Sequence, residues 1–282
     1  MRLVSFLTDQ GPTAAIQLGE ELVPATTLGA PASMRTLLAR LDANALLNLG
    51  RHAEAATERI ALAEATLCAP VTDPQKIICL GLNYRDHAAE TNQEIPAAPM
   101  WFAKFANSLR GSGEEIVLPG AHAEYVDYEA ELALVIGRAA KSVAADDALA
   151  YVAGAMPFND LSARDLQLQN PLWTSGKAID GFAPCGPALV TLDEIEDLQA
   201  LELRTRVNGE LLQQGTTAEL IFGPAEVVAW LSRTMTLLPG DIIATGTPAG
   251  VGAARGRFLR DGDTVEIEID GLGTLVNRMR SE

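Results

Sequence analysis

The stretch YVDYEAELALVIG, residues 125–137, sets three acids into one of the most apolar parts of the chain. Successive side chains of a strand point to opposite faces, so Asp127, Glu129 and Glu131 are predicted to share one. The other face carries Val126, Tyr128, Ala130, Leu132 and Leu134, enough to join a core. Beyond Glu131 the acidic face itself turns apolar through Ala133 and Val135, so the carboxylates lead into an interior. Like charges at this spacing repel, and a lone buried carboxylate is costly unless its pKa rises. A hard divalent cation resolves the conflict, because Mg²⁺, Mn²⁺ and Ca²⁺ prefer oxygen ligands. An edge strand with a solvated acidic face accounts for the same pattern equally well.

Composition narrows the classes. The chain has 282 residues, 48% apolar and 21% charged, and a formal charge of −16. That is ordinary for a globular core and disfavours nucleic acid or an anionic membrane as partner. No stretch approaches the ~20 apolar residues of a membrane span. The opening MRLVSFLTDQGPTAA reaches Asp9 before a signal-peptide apolar region forms. Cys68, Cys79 and Cys185 make no CxxC pair, which fits free thiols and a cytoplasmic location better than disulfides or zinc.

Along the chain, RLVSFLT and TAAIQLG read as strands around a Gly-Pro turn. From Ser33 to about Arg59 the pattern becomes helical, with Leu38, Leu41, Ala45 and Leu49 in step and Ser33 as N-cap. The proline-bearing APVTDPQK marks a boundary between a small domain, 1–70, and a larger one, 71–282. In the larger part KIICLGLNY reads as a strand and DHAAETNQ as a short helix or loop. DDALAYVAGAMPFND reads as an acid-capped helix running into a strand, RTRVNGELLQQ as a hairpin, and FGPAEVVAWLSRTM as a helix with Pro224 in its first turn. Many short strands with few helices predict a β-rich α+β fold rather than a doubly wound sheet. The glycines of GTPAGVG match neither a dinucleotide nor a phosphate-loop fingerprint.

Two further clusters bear chemistry. In GLNYRDHAAE a helical reading brings His87 and Glu90 together at i and i+3, either the pairing that orients an imidazole as a general base or an exposed helix with an incidental acid neighbour. His52 and His122 read as surface positions. In FNDLSARDLQ, Asp160 is a further oxygen donor or an N-cap, and a helical reading puts Arg164 and Gln167 on its face. Lys177, after Gly176, fits an anion clamp or a surface cation. Thr245 and Thr247 fit a carboxylate site or a turn cap.

In order, KIICLGLNYRDHAAE, VDYEAELALVIG, FNDLSARDLQ, WTSGKAIDGFAPCGP, VNGELLQQGTTAELIF and LLPGDIIATGTPAGVG closely resemble the fumarylacetoacetate hydrolase family, from about residue 72 to the C-terminus. Residues 1 to about 70 match loosely, as a variable N-terminal domain. The resemblance implies a mixed β-sheet roll, a homodimer, and a divalent cation, most often Mg²⁺ and sometimes Mn²⁺ or Ca²⁺. It places metal ligands at Glu129, Glu131 and Asp160, a catalytic dyad at His87 and Glu90, and a catalytic lysine at Lys177. It assigns substrate contacts to Arg164, Gln167 and Thr247, and gives Asp127 no role. In FAKFANSL this chain has Phe105 where many relatives have proline, a change expected at the pocket rim.

The expected reaction is hydrolysis of a carbon–carbon bond in a 2,4-dioxo acid, releasing pyruvate. Acylpyruvates such as fumarylpyruvate and maleylpyruvate, or 2,4-diketo-3-deoxy sugar acids, are the expected substrates. Oxaloacetate decarboxylation and isomerisation of hydroxy-diene dioic acids would use the same site. A non-catalytic keto-acid binder is the alternative class, and it would not need His87, Glu90 and Lys177 in place.

Overall fold

The computed structural model describes residues 1–40 and 42–282. Among the described residues, eleven strands form one sheet and five form another, with two-stranded ribbons between. The larger sheet is built around Ala130–Ile136, the latter part of the acidic stretch. This strand pairs antiparallel with Val152–Asn159 on one side and Ile242–Ala244 on the other. Its even residues Leu132, Leu134 and Ile136 enter one core, while Ala133 and Val135 enter a second on the opposite face. A strand covered on both faces reads as a continuous apolar run, and that is what ALVI shows.

Past Ile242–Ala244 the sheet continues in parallel to Ile77–Gly81 and ends antiparallel at Met100–Lys104. In the other direction Val152–Asn159 pairs with Leu189–Thr191, and that strand pairs with Arg2–Thr8. The division expected near residue 70 therefore crosses a shared sheet: the first strand hydrogen-bonds into the larger part through Arg2 and Leu3. The smaller sheet joins Glu210–Thr216, Glu202–Val207, Thr264–Ile269, Gly273–Ser281 and Glu115–Leu118. The result is the sheet-rich α+β architecture that the pattern predicts.

Local chemistry accounts for the connections. Asn208 and Gly209 both take positive φ, 52° and 80°, as a two-residue hairpin turn requires. Pro224 opens the helix Pro224–Thr234, whose Val227, Val228 and Leu231 are buried. The single helix predicted from Ser33 to Arg59 is instead two, Met34–Arg40 and Ala43–Ala55. The carboxylate of Asp42 accepts the amide of Ala45 and starts the second, a competing N-cap inside one apolar pattern. Leu41, part of that pattern, lies outside the described residues. The helix predicted in DDALAYVAGAMPFND has Ala144 rather than an acid at its N-cap, with Asp146 and Asp147 in the first turn. Cys68, Cys79 and Cys185 are free, the first only half-buried.

Candidate active site

The acidic stretch is not one uninterrupted strand. Val126–Asp127 pairs with Ser162–Ala163, and Ala130–Ile136 joins the large sheet, leaving Tyr128 and Glu129 between them. The alternation survives the break. Tyr128 and Ala130 enter a core, while Asp127, Glu129 and Glu131 are buried without joining one. Asp160 follows directly from Val152–Asn159, and its amide donates to the Glu129 carbonyl at 2.9 Å. Carboxylate oxygens of Glu129, Glu131 and Asp160 thereby come within 4.8 Å of one another.

Three cations surround them. Lys177 Nζ lies 2.8 Å from both Glu129 Oε2 and Asp160 Oδ2. Arg164 Nη2 lies 2.7 Å from Glu129 Oε1 and 2.7 Å from Asp127 Oδ2. Lys104, fully buried, reaches Asp160 Oδ1 at 2.6 Å and donates to the carbonyls of Leu161 and Phe182. Burial alone would raise the Glu129 carboxyl, but Lys177 and Arg164 outweigh it and bring its pKa down to about 2. Glu131 has no such ion pair. Its burial, with Asp160 and Glu129 nearby, pushes its carboxyl well above the usual range, and one hydrogen bond from the Gly246 amide at 2.8 Å does not compensate. Burial likewise pulls Lys104 down, with Asp160 acting against it.

The donor set fits a hard cation. Four buried carboxylates, Asp127, Glu129, Glu131 and Asp160, face three cations, Lys104, Lys177 and Arg164, so with all four ionised one negative charge is in excess. Glu131, whose carboxyl is raised, is the group that relieves it by holding a proton until a cation binds. Lys104 approaches Asp160 Oδ1 outside hydrogen-bond geometry, and that buried oxygen accepts no hydrogen bond. An all-oxygen cluster with excess negative charge and an unsatisfied lone pair suits a divalent metal, which would reverse the local sign and favour an anionic ligand.

Through Glu129 the triad reaches a cavity of about 380 Å³ whose lining also includes His87, Glu90, Arg164, Gln167 and Lys177. His87 and Glu90 belong to the helix Arg85–Glu90, with His87 Nδ1 3.3 Å from Glu90 Oε2. The helix is tied to the backbone at 249–250: the amides of Ala249 and Gly250 donate to Asp86 and Glu90 at 3.1 and 2.9 Å. Asn83 fixes its approach, donating to the carbonyls of Phe222 and Thr245 at 3.1 and 2.7 Å. Gly246 makes this close passage possible, since φ is 101° and a Cβ there would stand 2.8 Å from Asn83 Cβ. His52 and His122 are exposed.

The helix Arg164–Gln167 begins only after Ser162–Ala163 has paired with Val126–Asp127, so Asp160 does not share its face. Arg164 and Gln167 still meet, because Arg164 Nη1 donates to Gln167 Oε1 at 3.0 Å. That bond leaves the Gln167 amide N–H₂ for a ligand. Thr247 does not line the cavity; its hydroxyl accepts from Gln213 Nε2 at 2.9 Å. Phe105 is exposed and does not line this cavity.

Two participants escaped the sequence reading. Asp127 accepts from Arg164, from Gly252 N at 2.6 Å and from Ala253 N at 2.9 Å, joining the start of the short helix Gly252–Arg255 to the site. Its buried position beside an apolar stretch was legible, its partners were not. Lys104 carried a weaker signal, a lone lysine in an apolar strand.

With this geometry the comparisons converge. Residues 76–280 match the fumarylacetoacetate (FAA) hydrolase C-terminal family. The chain belongs to that family. It is 42% identical over 288 residues, 99% of this chain and 91% of the relative, to the oxaloacetate tautomerase Fahd2a, mitochondrial, of Rattus norvegicus. Its structure resembles a fumarylacetoacetate hydrolase from psychrophilic Exiguobacterium antarcticum, with a TM-score of 0.88 and 32% identity over the full length of both chains. It also resembles maleylpyruvate hydrolase from Sphingobium sp. SYK-6 in complex with manganese(II) ion and pyruvate, with a TM-score of 0.82 and 32% identity, covering 100% of this chain and 99% of that one. This is an enzyme of the fumarylacetoacetate hydrolase family.

Proposed function

We propose that this enzyme interconverts the keto and enol forms of oxaloacetate, using Mg²⁺ held by Glu129, Glu131 and Asp160. The observation that carries the reading is His87, whose Nδ1 is engaged by Glu90 while its ring lines the same cavity as Glu129 and Lys177. Tautomerisation needs one proton moved at C3 and negative charge steadied on the 2-oxo oxygen. The relative named as an oxaloacetate tautomerase supports it by its identity over nearly the whole chain.

A divalent cation held by Glu129, Glu131 and Asp160 would supply Lewis-acid stabilisation of the negative charge that develops on the substrate. Gln167, its carbonyl oxygen pinned by Arg164, turns its amide towards the substrate carboxylate. Glu90 accepts a hydrogen bond from His87 Nδ1, leaving Nε2 to carry the proton between C3 and the 2-oxo oxygen: off C3 and onto oxygen as the enol forms, and the reverse as the ketone forms. Lys177 keeps its charge despite burial, because Asp160 and Glu129 raise its pKa, and it holds positive charge beside the developing oxyanion.

A second reading is hydrolysis of an acylpyruvate, in which the same histidine removes a proton from water. The His87–Glu90 pair serves it equally, and the likeness to maleylpyruvate hydrolase supports it. It stands second because the relative at 42% identity carries the tautomerase name.

Enol-oxaloacetate mixed with the Mg²⁺-loaded protein separates the two. Accelerated loss of enol absorbance, abolished by EDTA and restored by Mg²⁺, without pyruvate release, is the expected result. Pyruvate release from acetylpyruvate, maleylpyruvate or fumarylpyruvate, with oxaloacetate untouched, would overturn the first reading in favour of the second.

A further inference from the structure

Beside the charged end of the cavity stands a wall of a different kind. Phe102, from the strand Met100–Lys104, places its ring 5.0 Å from Lys177 Nζ. Trp173, just before the helix Thr174–Lys177, meets Phe102 edge to face with ring centroids 5.6 Å apart and planes inclined at 71°. Leu80, Leu82 and Leu168 extend the apolar lining. The indole rests where residue 81 has no side chain: a Cβ at Gly81 would lie 2.5 Å from Trp173 Cζ3. The absence of a Cβ there makes room for the ring.

The cations of this cavity are already committed. Arg164 gives Nε and Nη2 to Asp127 and Nη1 to Gln167, and Lys177 is shared between Glu129 and Asp160. Among the described lining residues none offers a spare positive charge at the aromatic wall. A carboxylate carried far beyond C3 would be desolvated there without a partner, whereas a flat apolar group would pack against Phe102 and Trp173.

From this we infer that the site also tautomerises 2-oxo acids bearing an aryl group on C3, the class of phenylpyruvate, and that Phe102, Trp173 and Gly81 set that selectivity. The inference rests on the proposed tautomerase reading and names a further substrate class for it. The chemistry balances without a co-reactant. The C3–H bond breaks, its electron pair forms the C2–C3 double bond, and the 2-oxo oxygen accepts a proton. Conjugation of the ring with that double bond flattens the enol, the shape an aromatic cleft accommodates best. In oxaloacetate the C3 substituent is a single carboxylate, too short to extend along the wall.

The test compares phenylpyruvate and oxaloacetate enolisation by the Mg²⁺-loaded full chain, for the native sequence, Trp173→Ala and Gly81→Ala. Gly81→Ala pushes the indole aside without removing it, so it checks the wall independently should Trp173→Ala fold poorly. The expected result is turnover of both acids, with the phenylpyruvate-to-oxaloacetate ratio of kcat/KM falling roughly tenfold or more in both variants. Oxaloacetate turnover with phenylpyruvate inert overturns the inference and leaves the tautomerase reading standing. Phenylpyruvate turnover with an unchanged ratio in both variants overturns the assignment of the wall. Failure on both acids removes the tautomerase reading and this inference with it.

Discussion

Arg164 donates twice to one oxygen of Asp127, from Nε at 2.9 Å and from Nη2 at 2.7 Å. The other Asp127 oxygen accepts the Gly252 amide, so a single buried carboxylate joins the strand, the helix Arg164–Gln167 and the helix Gly252–Arg255. Its charge is fully desolvated and fully paired. Without Asp127, Arg164 keeps Glu129 as its ionic partner, but the buried Gly252 amide loses its acceptor. Each buried group orphaned in this way costs about 1–3 kcal/mol. Asp127→Ala should lose that much stability in urea denaturation. A loss below about 1 kcal/mol would show that solvent or a neighbour replaces the pair.

His87 is the residue on which both catalytic readings depend. His87→Ala should lower turnover by roughly 10²–10⁴-fold. Mn²⁺ affinity, followed by electron paramagnetic resonance, should stay within a few-fold of native, because His87 is not one of the three clustered carboxylates. Full activity in that variant would sink the dyad assignment.

Glu131 lacks the ion pair that Glu129 and Asp160 possess. Glu131→Gln removes a donor charge from the cluster and relieves its repulsion. Metal affinity should drop about tenfold or more while the thermal midpoint of the metal-free protein stays level or rises. Unchanged Mn²⁺ binding by calorimetry would remove Glu131 from the ligand set.

The pH dependence follows from the sign of the two shifts. Burial, with Asp160 and Glu129 close by, raises the Glu131 carboxyl, so the metal-free fold takes up a proton there that the unfolded chain has released above about pH 4.3. Stability from this group is present below that pH and is lost as pH rises through its raised folded value. Glu129, brought down to about 2, works oppositely and loses its contribution only as pH falls towards that value. A cation must displace the Glu131 proton, so metal affinity should increase with pH. Calorimetric titration of Mg²⁺ in buffers of different ionisation enthalpy should register proton release on binding. The same heat in every buffer would contradict it.

What the sequence determined is local and periodic. Alternation placed Asp127, Glu129 and Glu131 on one side of their segment. The Asn-Gly pair made its hairpin, Pro224 started its helix, and the three-residue step joined His87 to Glu90. Each depends on backbone geometry within a few residues, which composition and spacing encode directly. The single helix from Ser33 failed because Asp42 offered a second cap, and the helical reading from Asp160 failed because a strand pairing came first. Sequence motifs also named Lys177, Arg164 and Gln167, but not what they touch. Only the tertiary structure decided that Lys104 lies against Asp160, that Asp127 anchors Arg164, that Thr247 turns to Gln213, and that Trp173 fills the space over Gly81. These contacts join segments brought together by sheet order. Nothing in the spacing along the chain records which distant partner will meet a buried charge or fill the place of a missing side chain.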